Sequence, residues 1–141
     1  AAVKQAVDIP VIANGDITGP QSAARALKAS GADGVMVGRG AQGRPWRLAE
    51  IAASLFGAAA PNVPRDDALA TIVAGHYEDM LRFYGVDLGL RVARKHLGWY
   101  MDHAGTEAQL RREILTARAP DAVLRALPGA MRSSSQAAVA A

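Results

Sequence analysis

The strongest constraint in this chain is a unit of strand, glycine-bearing loop and helix that occurs twice between Ile9 and Ile51. Val11–Ala13 is a short apolar run that Asn14-Gly15-Asp16 breaks. Thr18 then reads as a helix cap, with Gln21 three residues on completing a capping box. The helix QSAARALKAS stops at Gly31, a natural left-handed terminator. Val35–Val37 is the second apolar run, ended by Gly38-Arg39-Gly40. Pro45 can open a helix without losing a needed donor, so Trp46–Phe56 is predicted helical up to Gly57. Both strands are continuous rather than alternating. That predicts a parallel pair buried on both faces, joined by a right-handed crossover.

In βα architectures the loops after the strands carry the chemistry. Here they are Asn14-Gly15-Asp16 and Gly38-Arg39-Gly40. Glycines let backbone amides approach a ligand, and Arg39 adds a fixed, planar cation. Together these suit a phosphate monoester. Two ordinary turns with Arg39 in solvent account for the spacing equally well. Neither GxGxxG nor GxxxxGK[ST] is present. Asp16 is expected to hold loop amides or a sugar-type hydroxyl, and Asp33 to be a turn residue. Neither has a His or second carboxylate at metal-ligand spacing.

The rest of the chain is helical in pattern. Ala58–Arg65, with two prolines, reads as a linker. Asp66 or Asp67 can cap a helix whose apolar face would be Leu69, Ile72, Val73, His76, Met80, Leu81 and Tyr84, with His76 as a packed core histidine. Asp87 can cap the next, Leu88–Ala104, with Leu90, Leu97, Met101 and Ala104 on its apolar side. Arg91, Arg94 and Lys95 neighbour one another on the other side, flanked by His96, Trp99, Tyr100 and His103. Cations beside aromatics suit RNA. Taken alone, the helix is better explained by a solvated face. Thr106 and Gln109 read as a further capping box, with Arg111, Arg112 and Arg118 nearby. Pro120 breaks that helix, and Asp121 caps AVLRAL, which Pro128-Gly129 ends. Residues 66–127 are therefore expected to form an antiparallel helical bundle, and 128–141 a disordered tail.

Charge is unevenly divided. Residues 1–81 carry seven Lys/Arg against eight Asp/Glu, and residues 82–141 nine against five. A basic second half suits a polyanionic partner. The absence of cysteine excludes disulfides and thiolate metal sites and fits a reducing compartment. No apolar run approaches the ~20 residues of a membrane span.

The wording of three stretches goes further. IPVIANGDI with GADGVMVGRGAQGRPW, joined to a later LRVARKHLGWY, resembles the tRNA-dihydrouridine synthase family of bacterial B type, across about residues 1–127. The resemblance implies an α/β fold plus an all-α one. Residues 1–57 would be the last two βα units (strands 7 and 8) of a flavin-binding (β/α)8 TIM barrel. Residues 58–65 would link them to a helical tRNA-binding domain at 66–127. It implies FMN contacts at Asn14, Gly15, Asp16, Gly38 and Arg39, and tRNA contacts at Arg91, Arg94 and Lys95. It also implies a cytoplasmic, NADPH-dependent reduction of the C5–C6 bond of a tRNA uridine, with no metal and no membrane.

The family's proton-donating cysteine has no counterpart in this chain, so no catalytic residue is expected here. The opening AAVKQAVD reads as a helix end feeding a strand. Both features are expected of the C-terminal piece of a longer enzyme, inactive alone, whose residues 1–57 need the earlier part of the barrel to fold. Two other readings fit parts of the pattern. One is a flavin barrel acting on a free pyrimidine, which leaves the basic helix unexplained. The other is a non-catalytic RNA-binding module.

Overall fold

A computed structural model describes residues 1–132 of the chain, in two compact units, Ala1–Val63 and a second from Pro64 onward.

The first unit opens with α1 (Ala2–Ala6), followed by β1 (Ile12–Asn14), α2 (Pro20–Ser30) and β2 (Gly34–Met36). A single 3-10 turn (Arg39–Ala41) leads to α3 (Arg47–Phe56). β1 and β2 are parallel, in register Ile12↔Gly34, Ala13↔Val35 and Asn14↔Met36. Both strands lie one residue from their predicted places. Just ahead of the paired residues Asp33 ties the strands together: its carboxylate accepts the Val11 amide at 2.7 Å, while its own amide donates to the Val11 carbonyl at 2.8 Å. Lys4 Nζ reaches the same carboxylate oxygen at 2.8 Å. Asp33 is thus a brace between α1, β1 and β2 rather than a turn residue. The Lys4 ammonium first, and the Val11 amide second, hold its carboxyl below the usual carboxylate range.

Burial on both faces of the sheet is corrected. Ile17, Ala23 and Ile51 form a core against which Val35, Val37 and Leu55 pack. On the other face Ile12 is 57% exposed and Met36 47%. The helices α2 and α3 pack on each other, and one sheet face has no helix to cover it among the described residues. The predicted Thr18–Gln21 capping box is also corrected. Pro20 takes the first helical position, which makes Ser22 the capping partner. Ser22 Oγ accepts from the amides of Thr18 (2.9 Å) and Gly19 (3.1 Å). Gly31 and Gly57 end α2 and α3 in the left-handed conformation, as predicted.

The second unit contains α4 (Asp66–Tyr84), α5 (Val86–Ala104), α6 (Ala108–Thr116) and α7 (Pro120–Met131). Gly85 alone separates α4 from α5, with φ 75°, so α5 starts earlier than an Asp87 cap would allow. The inward face of α4 is Leu69, Ala70, Val73, Tyr77 and Met80. It is rotated from the predicted face, for Ile72 and Tyr84 are exposed and Tyr77 is fully buried. On α5 the buried set is Gly89, Ala93, Leu97, Gly98, Tyr100 and Met101. α6 is capped by Glu107, whose carboxylate accepts the amides of Gln109 and Leu110. Those two amides hold its carboxyl below the ordinary value. Thr106, the predicted cap, instead donates to the Ala130 carbonyl at 2.6 Å.

That bond belongs to a larger correction. The last helix does not stop at Pro128-Gly129 but runs through them to Met131. Pro128 has no amide to give the Leu124 carbonyl, a loss that ordinarily kinks or ends a helix. Ala130 and Met131, beyond it, are at most 1% exposed. Burying that last turn against the bundle, with the Thr106 bond, offsets the missing hydrogen bond. The helix begins at Pro120, with Ala119 rather than Asp121 in the cap position. The tail expected over 128–141 is therefore helical through Met131, and its remainder from 133 onward lies outside the described residues.

Candidate functional site

The two glycine loops of the first unit converge. Asn14, Asp16, Gly38 and Arg39 line one open cleft of about 460 Å³ at the ends of β1 and β2. The fold brings them there because the paired register Asn14↔Met36 puts both loops at the same sheet end. Gly15 does not line the cleft; with φ 130° it turns the chain, and Asp16 follows with φ 47°. Two consecutive positive-φ residues swing the Asp16 carboxylate across to the second loop, where Oδ1 accepts from Arg39 Nη2 at 3.0 Å. Both side chains are more than 80% exposed, so the pair is worth little as stabilisation. Its effect is positional, since it sets where a planar cation stands over the cleft.

Gly40 holds the loops together. A Cβ there would fall 2.2 Å from the Ile17 carbonyl oxygen and 2.8 Å from Thr18 Cα. Only a residue without a side chain permits this backbone contact. At Gly38, by contrast, an added Cβ would meet nothing within 4 Å, so that position is open toward the cleft. The sequence reading missed Gly40 as a fixed contact and also missed Arg44, Thr18 and Met36, which line the same space. Arg44 had a visible signal, as the second arginine of GRGAQGR. Met36 and Thr18 had none, because their placement depends on the sheet register.

An anion fits this donor set. Two arginines, Arg39 and Arg44, and one acidic residue, Asp16, line the cleft, and the open position at Gly38 leaves room for a ligand against the backbone. These are features a sugar phosphate or flavin phosphate needs. No group of three or more His, Cys, Asp or Glu residues among the described residues could hold a metal ion.

In the second unit Arg91, Arg94 and Lys95 are all exposed on α5. None of them takes part in an ion pair among the described residues, whereas Arg111 is tied to Asp102 (3.1 Å) and Arg82 to Asp79. Lys95 Nζ lies 5.2 Å from the centre of the Trp99 ring, a cation–π contact. His96 packs edge-on against Trp99 on one side and His76 on the other. His76 Nδ1 shares a 3.2 Å hydrogen bond with Tyr100 Oη, so it is hydrogen-bonded, as predicted, but half-buried rather than in the core. Tyr100 is buried and joins α4 to α5. Burial first, then the charges of His76 and Lys95, push the His96 pKa below the ordinary histidine value. No helix among the described residues is long and apolar enough to cross a membrane.

A parallel βα pair with an anion-suited cleft, followed by a helical bundle with a basic face, defines the class. The chain matches the family described as Dihydrouridine synthase (Dus) over residues 1–136. It is 60% identical over 124 residues to a probable tRNA-dihydrouridine synthase of Rhodobacter capsulatus, a match covering 88% of this chain and 38% of that protein. It is 45% identical to tRNA-dihydrouridine synthase B of Xanthomonas axonopodis pv. citri, over 88% of this chain and 37% of that protein. The corresponding enzyme of Vibrio vulnificus is 46% identical, over 91% and 40%. This chain belongs to the dihydrouridine synthase family. It spans under half the length of these relatives.

Proposed function

We propose that this chain is the C-terminal portion of an FMN-dependent tRNA-dihydrouridine synthase. Its first unit supplies the last two βα units of the barrel, and its second a tRNA-gripping helical domain. The observation that carries this reading is the meeting of Asp16 and Arg39, from two different βα loops, over one cleft in a chain of this family. A phosphate site in the last two loops of a (β/α)8 barrel is a recurrent arrangement. The uncovered sheet face carrying Ile12 and Met36 supports the same reading, because in a closed barrel that face would be filled by side chains of the other strands.

When bound, FMN would supply the hydride that reduces the C5–C6 bond of a tRNA uridine, with NADPH as the electron source. Arg39 would hold the flavin phosphate, oriented by Asp16. Asn14 would donate to or accept from the ribityl hydroxyls. Gly38 would leave the backbone open to the ligand. Arg91, Arg94 and Lys95 would neutralise tRNA phosphates, and the target base would leave its stack at a cost of a few kcal/mol. With no cysteine in this chain, the proton donor to the base would come from outside it. The setting would be cytoplasmic. The names of the relatives favour tRNA over a free pyrimidine as substrate.

The test is flavin content. In the full-length protein that carries this chain, Arg39→Ala should lower the fraction purified with bound FMN, read from flavin absorbance. Undiminished occupancy would move the phosphate to other groups.

A further inference from the structure

A ladder of rings leads from the exposed basic strip of α5 to its buried side. Lys95 Nζ stands 5.2 Å from the centre of the Trp99 ring. Trp99 meets His96 edge-on at 5.1 Å, and His96 meets His76 of α4 at 5.2 Å. His76 in turn is hydrogen-bonded to the buried Tyr100. Trp99 and both histidines are half-buried. The path from the Lys95 charge to the His96 imidazole therefore crosses an indole ring. Its span is comparable with the Debye length of ~8–10 Å, and a field crossing a ring is screened less than one crossing water.

Two charges act on His96 besides the effect of burial. One is His76, from α4, and the other is Lys95, on α5 itself; both disfavour its protonated form. Helices α6 and α7 also pack on α5 and bring no charge to it, and no carboxylate figures among its neighbours. A polyanion on Arg91, Arg94 and Lys95 reverses one of these influences. Phosphates beside Lys95 cancel its repulsion and add an attraction. Protonating His96 then costs less with RNA bound than without it, and by linkage RNA binds more tightly to the protonated form. We infer that His96 is a proton sensor for the basic strip, taking up a proton from solvent when RNA phosphates occupy Arg91, Arg94 and Lys95. This rests on the tRNA reading above and adds a pH dependence that the strip lacks, because histidine, not arginine or lysine, changes charge between pH 5 and 8.

The experiment measures the affinity of the full-length protein that carries this chain for an unmodified tRNA transcript, from pH 8 to 5.5 at constant ionic strength. Affinity rises on acidification by about three- to tenfold, the scale of a shift of up to one pKa unit on binding. Loss of folded protein in acid would lower the affinity, so it cannot imitate the rise. His96→Gln, which takes no proton, gives a flat profile. Calorimetry of the wild type near pH 6.5, in two buffers of unlike ionisation enthalpy, shows proton uptake on binding and needs no variant that folds. A rise that survives in His96→Gln, or a wild type that takes up no proton, would overturn the sensor and leave RNA on the strip. Replacing Arg91, Arg94 and Lys95 together by Ala removes both the affinity and the rise. Undiminished affinity in that variant would overturn the RNA reading of α5, and the sensor with it.

Discussion

Gly40 shows how much a single missing methyl can decide. Its Cα faces the backbone of Ile17 and Thr18, not a flexible side chain, so an added Cβ at 2.2 Å from a carbonyl oxygen has nothing to displace but the loop. Gly40→Ala should therefore separate the two loops, at a cost of about 1–3 kcal/mol typical of overpacking. Gly38→Ala, two residues earlier, has free space around the added Cβ, so any cost there comes from its backbone conformation (φ −97°, ψ −103°) alone and should be smaller. Thermal unfolding of both variants in the full-length protein checks this, and equal melting temperatures would show that the loops yield. Both glycines stand in the same motif. The sequence offers no way to tell the constrained one from the open one, because the constraint is a contact with a loop more than 20 residues away.

At the scale of an element, α5 carries the two faces of the second unit. Arg91, Arg94 and Lys95 are legible as neighbours from their spacing alone. Replacing all three by Ala should weaken tRNA binding and reduce the salt slope by about one for each phosphate no longer neutralised. An unchanged slope would take RNA off this helix. The inner side of α5 makes a pH prediction. Burial, His76 and Lys95 hold His96 below its unfolded pKa, so the unfolded chain binds its proton first. The stabilisation is full above about pH 6.5, the unfolded value, and is lost as pH falls from there through the lower folded value. Melting temperature measured across that interval should fall on acidification. His96→Gln should flatten the fall, and an identical pH profile in the variant would refute the linkage. Helix α7 outruns its expected end although Pro128 is a strong local stop signal. The override comes from the burial of Ala130 and Met131, which no window of sequence around Pro128 contains.

Across the whole molecule, the two units differ in how far they close a core. The second buries side chains from all four of its helices, among them Tyr77, Leu97, Ile114 and Leu127. The first buries three residues in its cluster and leaves Ile9 67%, Ile12 57% and Phe56 53% exposed. Each of its strands has one hydrogen-bonded neighbour among the described residues. Residues 1–63 produced alone should consequently show no cooperative unfolding transition, since two strands and one covered face rarely offset the entropy of folding. A sharp calorimetric transition for that segment would show that it folds without further strands.

By itself the sequence determined the order of strands and helices, the glycine stops at Gly31 and Gly57, the two glycine loops after the strands and the basic strip on α5. These are local properties, set by period, by capping chemistry and by residues that only loops tolerate. Tertiary structure decided the rest. It joined Asp16 to Arg39, pressed Gly40 against Ile17, turned Tyr77 inward and carried α7 past Pro128. Each of those outcomes depends on groups far apart in the chain becoming neighbours. Burial and backbone contact between elements then outweigh the preferences that any short stretch expresses alone.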